Sequence, residues 1–250
     1  MPTSLLRPLP RPDAGRTLVC MSFGGGGTRT FRPWAHVLPH DVELVVHCYP
    51  GRESRFRTPF AEDWDELLGD ALRSVRTVAH RPYVLLGHSM GAWVAFDLAQ
   101  RLERAGVAPP QALVVSGAHA PLPGPNPRTV TPMLSDTDEE LVDWMCSVGQ
   151  LPEALLAEPE LVEIAADTFR ADLRALESYR CAPDARVSVP LQVLHGEHDH
   201  DLEAARLEGW HSLAGAGCHA TRLPGGHFYT PEVWARLPEY VDALKPARHW

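Results

Sequence analysis

The pentapeptide Gly87-His88-Ser89-Met90-Gly91 constrains this chain more than any other feature of its sequence. It follows Tyr83–Gly87 (YVLLG), a short, wholly apolar run of the kind that forms a central parallel strand. It precedes a helical stretch, Gly91–Ala105, with Gly106 placed to end it. A G-x-S-x-G at a strand-to-helix junction makes a sharp turn that strains the serine backbone and lifts its hydroxyl above the sheet. The helix N-terminus beneath favours developing negative charge. A chance match is the alternative for so short a pattern. The strand and helix in register favour a nucleophile at Ser89.

The rest of the chain alternates in the same sense. Thr17–Phe23, Val42–Cys48, Ala112–Ser116, Leu191–His195 and Ala220–Leu223 read as strands. Asp63–Ala79 and Glu232–Leu244 read as helices, and residues 1–16 as an extended lead-in. This predicts an α/β fold, a mostly parallel central sheet with helices on both faces. Residues 120–189 break the pattern, because no strand is expected there. They open with PLPGPNP and continue with a capping pattern, Thr137-x-x-Glu140, ahead of Leu141, Val142, Trp144, Met145 and Val148. Helical segments follow at Glu153–Ala157 and Pro159–Tyr179. The expectation is a helical lid subdomain, 120–189, inserted in a single domain, 1–250. Extra packing helices are the alternative.

Composition narrows the function. The 250 residues are 44% hydrophobic and 22% charged, values of a folded globular chain. The net charge of −9 and the lack of a basic stripe argue against nucleic acid. No apolar run reaches the ~18 residues of a membrane span, and the N-terminus has no signal-peptide pattern. A cytoplasmic, soluble protein is expected. The five cysteines are scattered and odd in number, which fits a reducing compartment rather than a disulfide framework.

A serine nucleophile needs a base and an acid, which on such a fold follow in the order Ser, acid, His. His227, in the glycine turn after the last strand (Leu223-Pro224-Gly225-Gly226-His227-Phe228), is the expected base. The acid belongs after the penultimate strand, in Gly196-Glu197-His198-Asp199-His200-Asp201. Asp199 is preferred and Asp201 is second, with Glu197 also of suitable type. The same run offers imidazole and carboxylate ligands, but consecutive residues diverge and no H-E-x-x-H is present, so no metal is expected. One oxyanion donor is the Met90 N–H. The other is expected in the loop Phe23-Gly24-Gly25-Gly26-Gly27-Thr28, where glycines let amides approach a bound oxygen. That loop lacks the third glycine of a dinucleotide fingerprint and the Gly-Lys-Ser/Thr of a P-loop.

Together these segments resemble the type II thioesterases that accompany polyketide and non-ribosomal peptide synthetases. The likeness runs from Thr17 to Leu244. It rests on LVCMSFGGGGTRTFRPWA (18–35), YPGRESRF (49–56), RPYVLLGHSMGAWVAFDLA (81–99), LRALESYR (173–180), HGEHDHD (195–201) and LPGGHFY (223–229). The resemblance implies an α/β-hydrolase fold with a helical lid, and a substrate held as an acyl thioester on the phosphopantetheine arm of a carrier protein. By position it implies Ser89 as nucleophile, Asp199 as acid, His227 as base, and Met90 and Gly24 as oxyanion donors, with Gly25 an alternative to Gly24. Two segments depart from the family pattern: Ser22-Phe23-Gly24 replaces Pro-His-Ala, and the acid segment lacks its proline.

No cofactor is implied. Met133, Trp144 and Met145 are candidate linings of the acyl pocket, with core packing the alternative for each. Residues 1–57 hold eight Arg against four acidic residues. Arg29, Arg32, Arg52, Arg55 and Arg57 therefore offer charge complementary to an acidic carrier, or are ordinary solvated arginines. A monomer is expected. The rival functions are a small-molecule esterase or an acyltransferase on the same fold, and a binding subunit without turnover.

Overall fold

The computed structural model describes residues 3–125, 132–199, 202 and 204–245. Seven strands form the main sheet: β1 (Leu5–Leu6), β2 (Arg16–Met21), β3 (Val42–His47), β4 (Tyr83–His88), β5 (Ala112–Ser116), β8 (Leu191–Gly196) and β9 (Cys218–Leu223). Their order is β1-β3-β2-β4-β5-β8-β9, and every pairing is parallel except β1 with β3. The six longer strands are those the sequence predicts, with ends shifted by two residues at most. The lead-in supplies β1, too short to show a period.

Both faces of the sheet are covered over β2, β3, β4, β5 and β8, which is why these strands read as largely apolar runs, whereas the edge strand β9 is mostly exposed. Val19, Val45, Leu85 and Val115 turn to one face, against α2 (Trp64–Val75), α3 (Met90–Arg104) and Trp210 of α6 (Ala204–Leu213). Leu18, Leu44, Leu86 and Val114 turn to the other. There they meet Trp34 of α1 (Trp34–Val37), Val233 of α7 (Pro231–Ala235) and the C-terminal residues Leu237 and Val241. Asp63 caps α2 by accepting from the Glu66 N–H, and Gly106, at φ 68°, closes α3.

The C-terminal helix expected over Glu232–Leu244 is not continuous. It ends at Ala235 and continues as two short 3-10 turns, Leu237–Tyr240 and Asp242–Leu244. Pro238 lacks the N–H that an α-helix needs there and restarts the chain at a new angle.

Between β5 and β8 lie α4 (Asp138–Ser147), a 3-10 turn (Glu153–Ala157) and α5 (Pro159–Ser178). Thr137 and Glu140 form the expected capping box on α4. This segment has its own apolar cluster, in which Leu141, Met145 and Leu151 meet Ala166, Phe169 and Leu173 of α5. The expectation of no strand here is corrected by a two-stranded ribbon, β6 (Gly124–Pro125) with β7 (Arg180–Cys181). Helix α6 had no sequence expectation. Among the described residues, no helix is long and apolar enough to cross a membrane.

Two of the arginines read as surface charge are inside. Arg52 and Arg55 are 6% and 8% exposed. Arg55 closes a bidentate pair with Asp70 on α2, whose Oδ2 also lies 3.3 Å from His47 Nε2. Arg29, Arg32 and Arg57 are exposed as expected.

Burial alone would raise the Asp70 carboxyl. His47 and Arg55 outweigh burial and hold it well below the usual carboxylate range. A depressed carboxylate stabilises the fold above its unfolded pKa and loses that contribution as pH falls through the acid range. Asp70→Asn, which strands Arg55, is expected to cost about 3 kcal/mol at neutral pH. In urea unfolding the difference from wild type should hold constant from pH 7 to about pH 5 and begin to shrink only as pH falls below about 4, the ordinary Asp value.

Candidate active site

Strand β4 delivers Ser89 to the start of α3 with φ 55° and ψ −124°, a backbone region that β-carbon-bearing residues rarely occupy. Serine is a favoured helix cap, yet this hydroxyl makes no capping bond, so it is not spent on its own helix. The flanking glycines are steric requirements. A β-carbon on Gly87 would stand 1.8 Å from Gly91 O, and one on Gly91 would stand 2.4 Å from both Met21 O and Ser22 O. The Ser89 N–H is tied to Ser116 O at 2.8 Å, which joins the turn to β5.

The exits of β8 and β9 bring the other two members together. Glu197 N donates to Leu223 O and His198 N to Gly225 O, both at 2.9 Å. A β-carbon on Gly196 would collide with Gly226 O at 2.1 Å, so the two loops lie in backbone contact. Asp199 Oδ2 and His227 Nδ1 then meet at 2.9 Å, with side chains only 2% and 10% exposed. Of the three candidate acids, Asp199 is the one placed on His227. Glu197 faces His198 at 3.8 Å, and Asp201 lies outside the described residues. His227 Nε2 is buried with no hydrogen-bond partner, a basic nitrogen left open beside the elbow. Its ring is 5.1 Å from that of His88, the neighbour of Ser89.

His88 is fully buried behind this pair. Its Nδ1 meets Ser116 Oγ at 2.9 Å, and Ser116 Oγ meets Tyr229 OH at 2.6 Å. Burial, then the nearby His227, keep the His88 ring from protonating until well below the ordinary histidine range. Phe23, Phe228 and Trp234 pack around it.

The glycine loop after β2 lies beside the first turn of α3, and a β-carbon on Gly24 would be 3.9 Å from Met90 Cβ. Met90 N–H belongs to the helix N-terminal set that has no intrahelical acceptor. Gly25 is corrected as an oxyanion donor, because its N–H already donates to Asp172 Oδ2 at 2.7 Å. Asp172 forms a buried bidentate pair with Arg52, at 2.7 and 2.6 Å. That bond, not a docking surface, is the place of Arg52.

The three expected pocket residues separate. Trp144 stacks on Phe169 at 5.3 Å and presents its edge to His227 at 6.3 Å. Met145 is 1% exposed and packs in the core of its own segment, and Met133 is 42% exposed at the surface. Sequence reasoning missed Phe169, Gln150 and Asp172. Asp172 had a readable signal: a lone carboxylate within the apolar stripe Ala166, Phe169, Leu173. Among the described residues, no group of His, Cys, Asp or Glu is arranged to hold a metal ion.

Two outcomes follow from this geometry. Gly87→Ala should destabilise the protein by about 3 kcal/mol, as overpacking against fixed backbone does, measured by urea unfolding. In a pH titration followed by NMR, the His88 ring should show no shift change from pH 8 to pH 5. A midpoint inside that window would mean the ring is not held neutral.

Comparison with known proteins places these features in a family. The thioesterase domain family matches residues 16–246. The "Probable cadicidin biosynthesis thioesterase" of Streptomyces griseus is 32% identical over 94% of this chain, which spans 64% of that relative's length. The "AMB antimetabolite synthetase AmbE" of Pseudomonas aeruginosa is 34% identical over 84% of the chain, which spans 10% of that protein. Among solved structures, the type II thioesterase BorB from the borrelidin biosynthetic cluster superposes with a TM-score of 0.81 at 30% identity, covering 96% of this chain and 97% of that one. The chain belongs to the thioesterase domain family of the α/β-hydrolase fold.

Proposed function

We propose that this protein is a type II thioesterase that hydrolyses acyl groups from the phosphopantetheine arm of carrier proteins in polyketide or non-ribosomal peptide biosynthesis. The observation that carries the reading is the pairing of a strained, uncapped Ser89 with a His227 whose Nδ1 is held by Asp199 and whose Nε2 is open. The similarity to BorB over almost the whole of both chains supports the substrate class.

In this reading His227 Nε2 takes the Ser89 proton as Oγ attacks the thioester carbonyl. Asp199 fixes the tautomer and stabilises the imidazolium that forms. The tetrahedral oxyanion accepts from the Met90 and Gly24 amides, donors each worth about 3 kcal/mol in comparable sites. The C–S bond breaks, and the departing phosphopantetheine sulfur takes the proton from His227. A water then gives its proton to Nε2 and attacks the acyl-enzyme, releasing the free acid and restoring Ser89. No metal or diffusible cofactor enters these steps.

Residues 120–189 act as the lid of a single domain, and Trp144, stacked on Phe169, is the apolar wall it brings to His227. A wall of this kind separates chains that differ by one methylene only about 10- to 200-fold. Broad acyl tolerance is the result, which suits removal of wrong or stalled groups. The partner is the acylated carrier protein. Of the arginines read as docking charge, only the exposed Arg29, Arg32 and Arg57 remain available to it. All three triad members come from one chain, so a monomer suffices.

The test is intact-protein mass spectrometry of acetyl-, propionyl- and longer acyl-carrier proteins incubated with wild type and with Ser89→Ala. Wild type should return the free thiol arm, and the variant should be slower by about 10⁴-fold or more. An untouched acyl carrier alongside rapid cleavage of a simple ester would move the substrate to a small molecule.

A further inference from the structure

A run of four glycines is the most pliable backbone a loop can have, because each residue populates both signs of φ. It lets a main-chain amide reach a bound oxygen, but it does not by itself aim that amide. In this protein the aim comes from side chains elsewhere in the chain. The Gly24–Gly25 peptide is gripped at both ends: its carbonyl accepts from Gln150 Nε2 at 2.9 Å, and its N–H donates to Asp172 Oδ2 at 2.7 Å. Gly25 itself sits at φ 70°. Phe169 closes over the pair, 3.1 Å from where a β-carbon of Gly24 would be.

Asp172 is fixed in turn by the two-bond pair with Arg52, whose Nη1 also donates to Gly26 O at 2.9 Å. The guanidinium lies over the Tyr49 ring at 5.2 Å, and Tyr49 OH donates to Ser22 O at 3.0 Å. As a stabiliser alone this pair is a poor choice, since apolar residues of equal volume often serve a buried site as well or better. An apolar pair could neither accept the Gly25 N–H nor donate to the Gly26 carbonyl.

We propose that Asp172 and Gln150, with Arg52 behind Asp172, are positioning residues for the oxyanion site. They fix the plane of the Gly24–Gly25 peptide and thereby the direction of the adjoining Gly24 N–H. The proposal rests on the reading of Gly24 and Met90 as the oxyanion donors and of Ser89 as the nucleophile.

The experiment compares two ligands in wild type, Asp172→Asn, Arg52→Lys and Gln150→Ala. An alkylboronic acid adds to Ser89 Oγ as a tetrahedral anion and reads the oxyanion donors. A carrier protein bearing the same alkyl chain through a thioether has no carbonyl and reads the rest of the pocket. Asp172→Asn is expected to lower kcat by about 30- to 100-fold and Gln150→Ala by about 10-fold, below the 10²–10³ of a lost donor. Arg52→Lys should fall between them. KM and the thioether Kd should stay within about twofold, and boronate Kd should rise in parallel with the loss of kcat. All measurements are made below the onset of unfolding of each variant. Gln150 is only half-buried, so its variant carries the test even if Asp172→Asn does not fold. Boronate and thioether weakening together, or neither weakening, would overturn the proposal. A wild type that does not bind the boronate would overturn the reading of the site itself, and the positioning role with it.

Discussion

Two backbones pass each other at the elbow more closely than any side chain allows, and the rest of the site depends on that crossing. The start of α3 rests on the carbonyls of Met21 and Ser22, and the end of β4 rests on Gly91. Ser89 is thereby held at φ 55°, a conformation that costs about 1–3 kcal/mol. The helix that follows offsets it. Val94, Phe96, Leu98 and Leu102 are completely buried, and each such side chain contributes about 1.5–3 kcal/mol. One or two of them suffice to hold the strain. The position of the hydroxyl is therefore set by core packing beneath the sheet, and no hydrogen bond from Ser89 to its own helix competes for it.

The His227–Asp199 pair depends on a second close crossing, between the exits of β8 and β9. The two strands are parallel and in register up to Gly196 beside Leu223, so their loops leave the sheet together. Backbone bonds then fasten the loops before either side chain is placed. The same region carries a neutral imidazole at its back. His88 lies 5.1 Å from the ring that takes up a proton in the proposed reaction. A second cation there would oppose that uptake. Burial of His88 removes the conflict, and its Nδ1 is still satisfied through Ser116 and Tyr229.

Much of this was legible in the sequence, for a physical reason. Strands covered on both faces must be apolar throughout, and loops in backbone contact must carry glycine. Those two constraints wrote β4, the elbow and the His227 turn into the chain in readable form. What stayed hidden depended on chain direction or on distant partners. Pro238 was visible, yet the apolar spacing around it still suggested one continuous helix. The two-residue strands β1, β6 and β7 are too short to display a period. Met145 and Trp144 are neighbours in the same helical pattern, and only the rotation of α4 sends one to its own core and the other toward His227.

The arginines teach the same lesson about charge. Five were read together because they cluster in sequence, but the loop after β3 turns Arg52 and Arg55 inward. Each found a carboxylate far along the chain, Asp172 and Asp70. Side chains that share a segment therefore do not share an environment. The Arg52 pair also constrains how the site opens. Helix α5 is fastened to the glycine loop through Asp172, and breaking one partner from a buried pair costs about 3–5 kcal/mol. An opening that swung α5 away would bear that cost and would loosen the Gly24–Gly25 peptide as well. Movement confined to α4 and the 3-10 turn after it would spare the Arg52–Asp172 pair, at the cost of the more exposed Arg170–Asp138 ion pair and of the Gln150 bond to Gly24 O. On these energetics α5 is the fixed side of the site, and its Asp172 keeps hold of the Gly25 N–H while α4 moves.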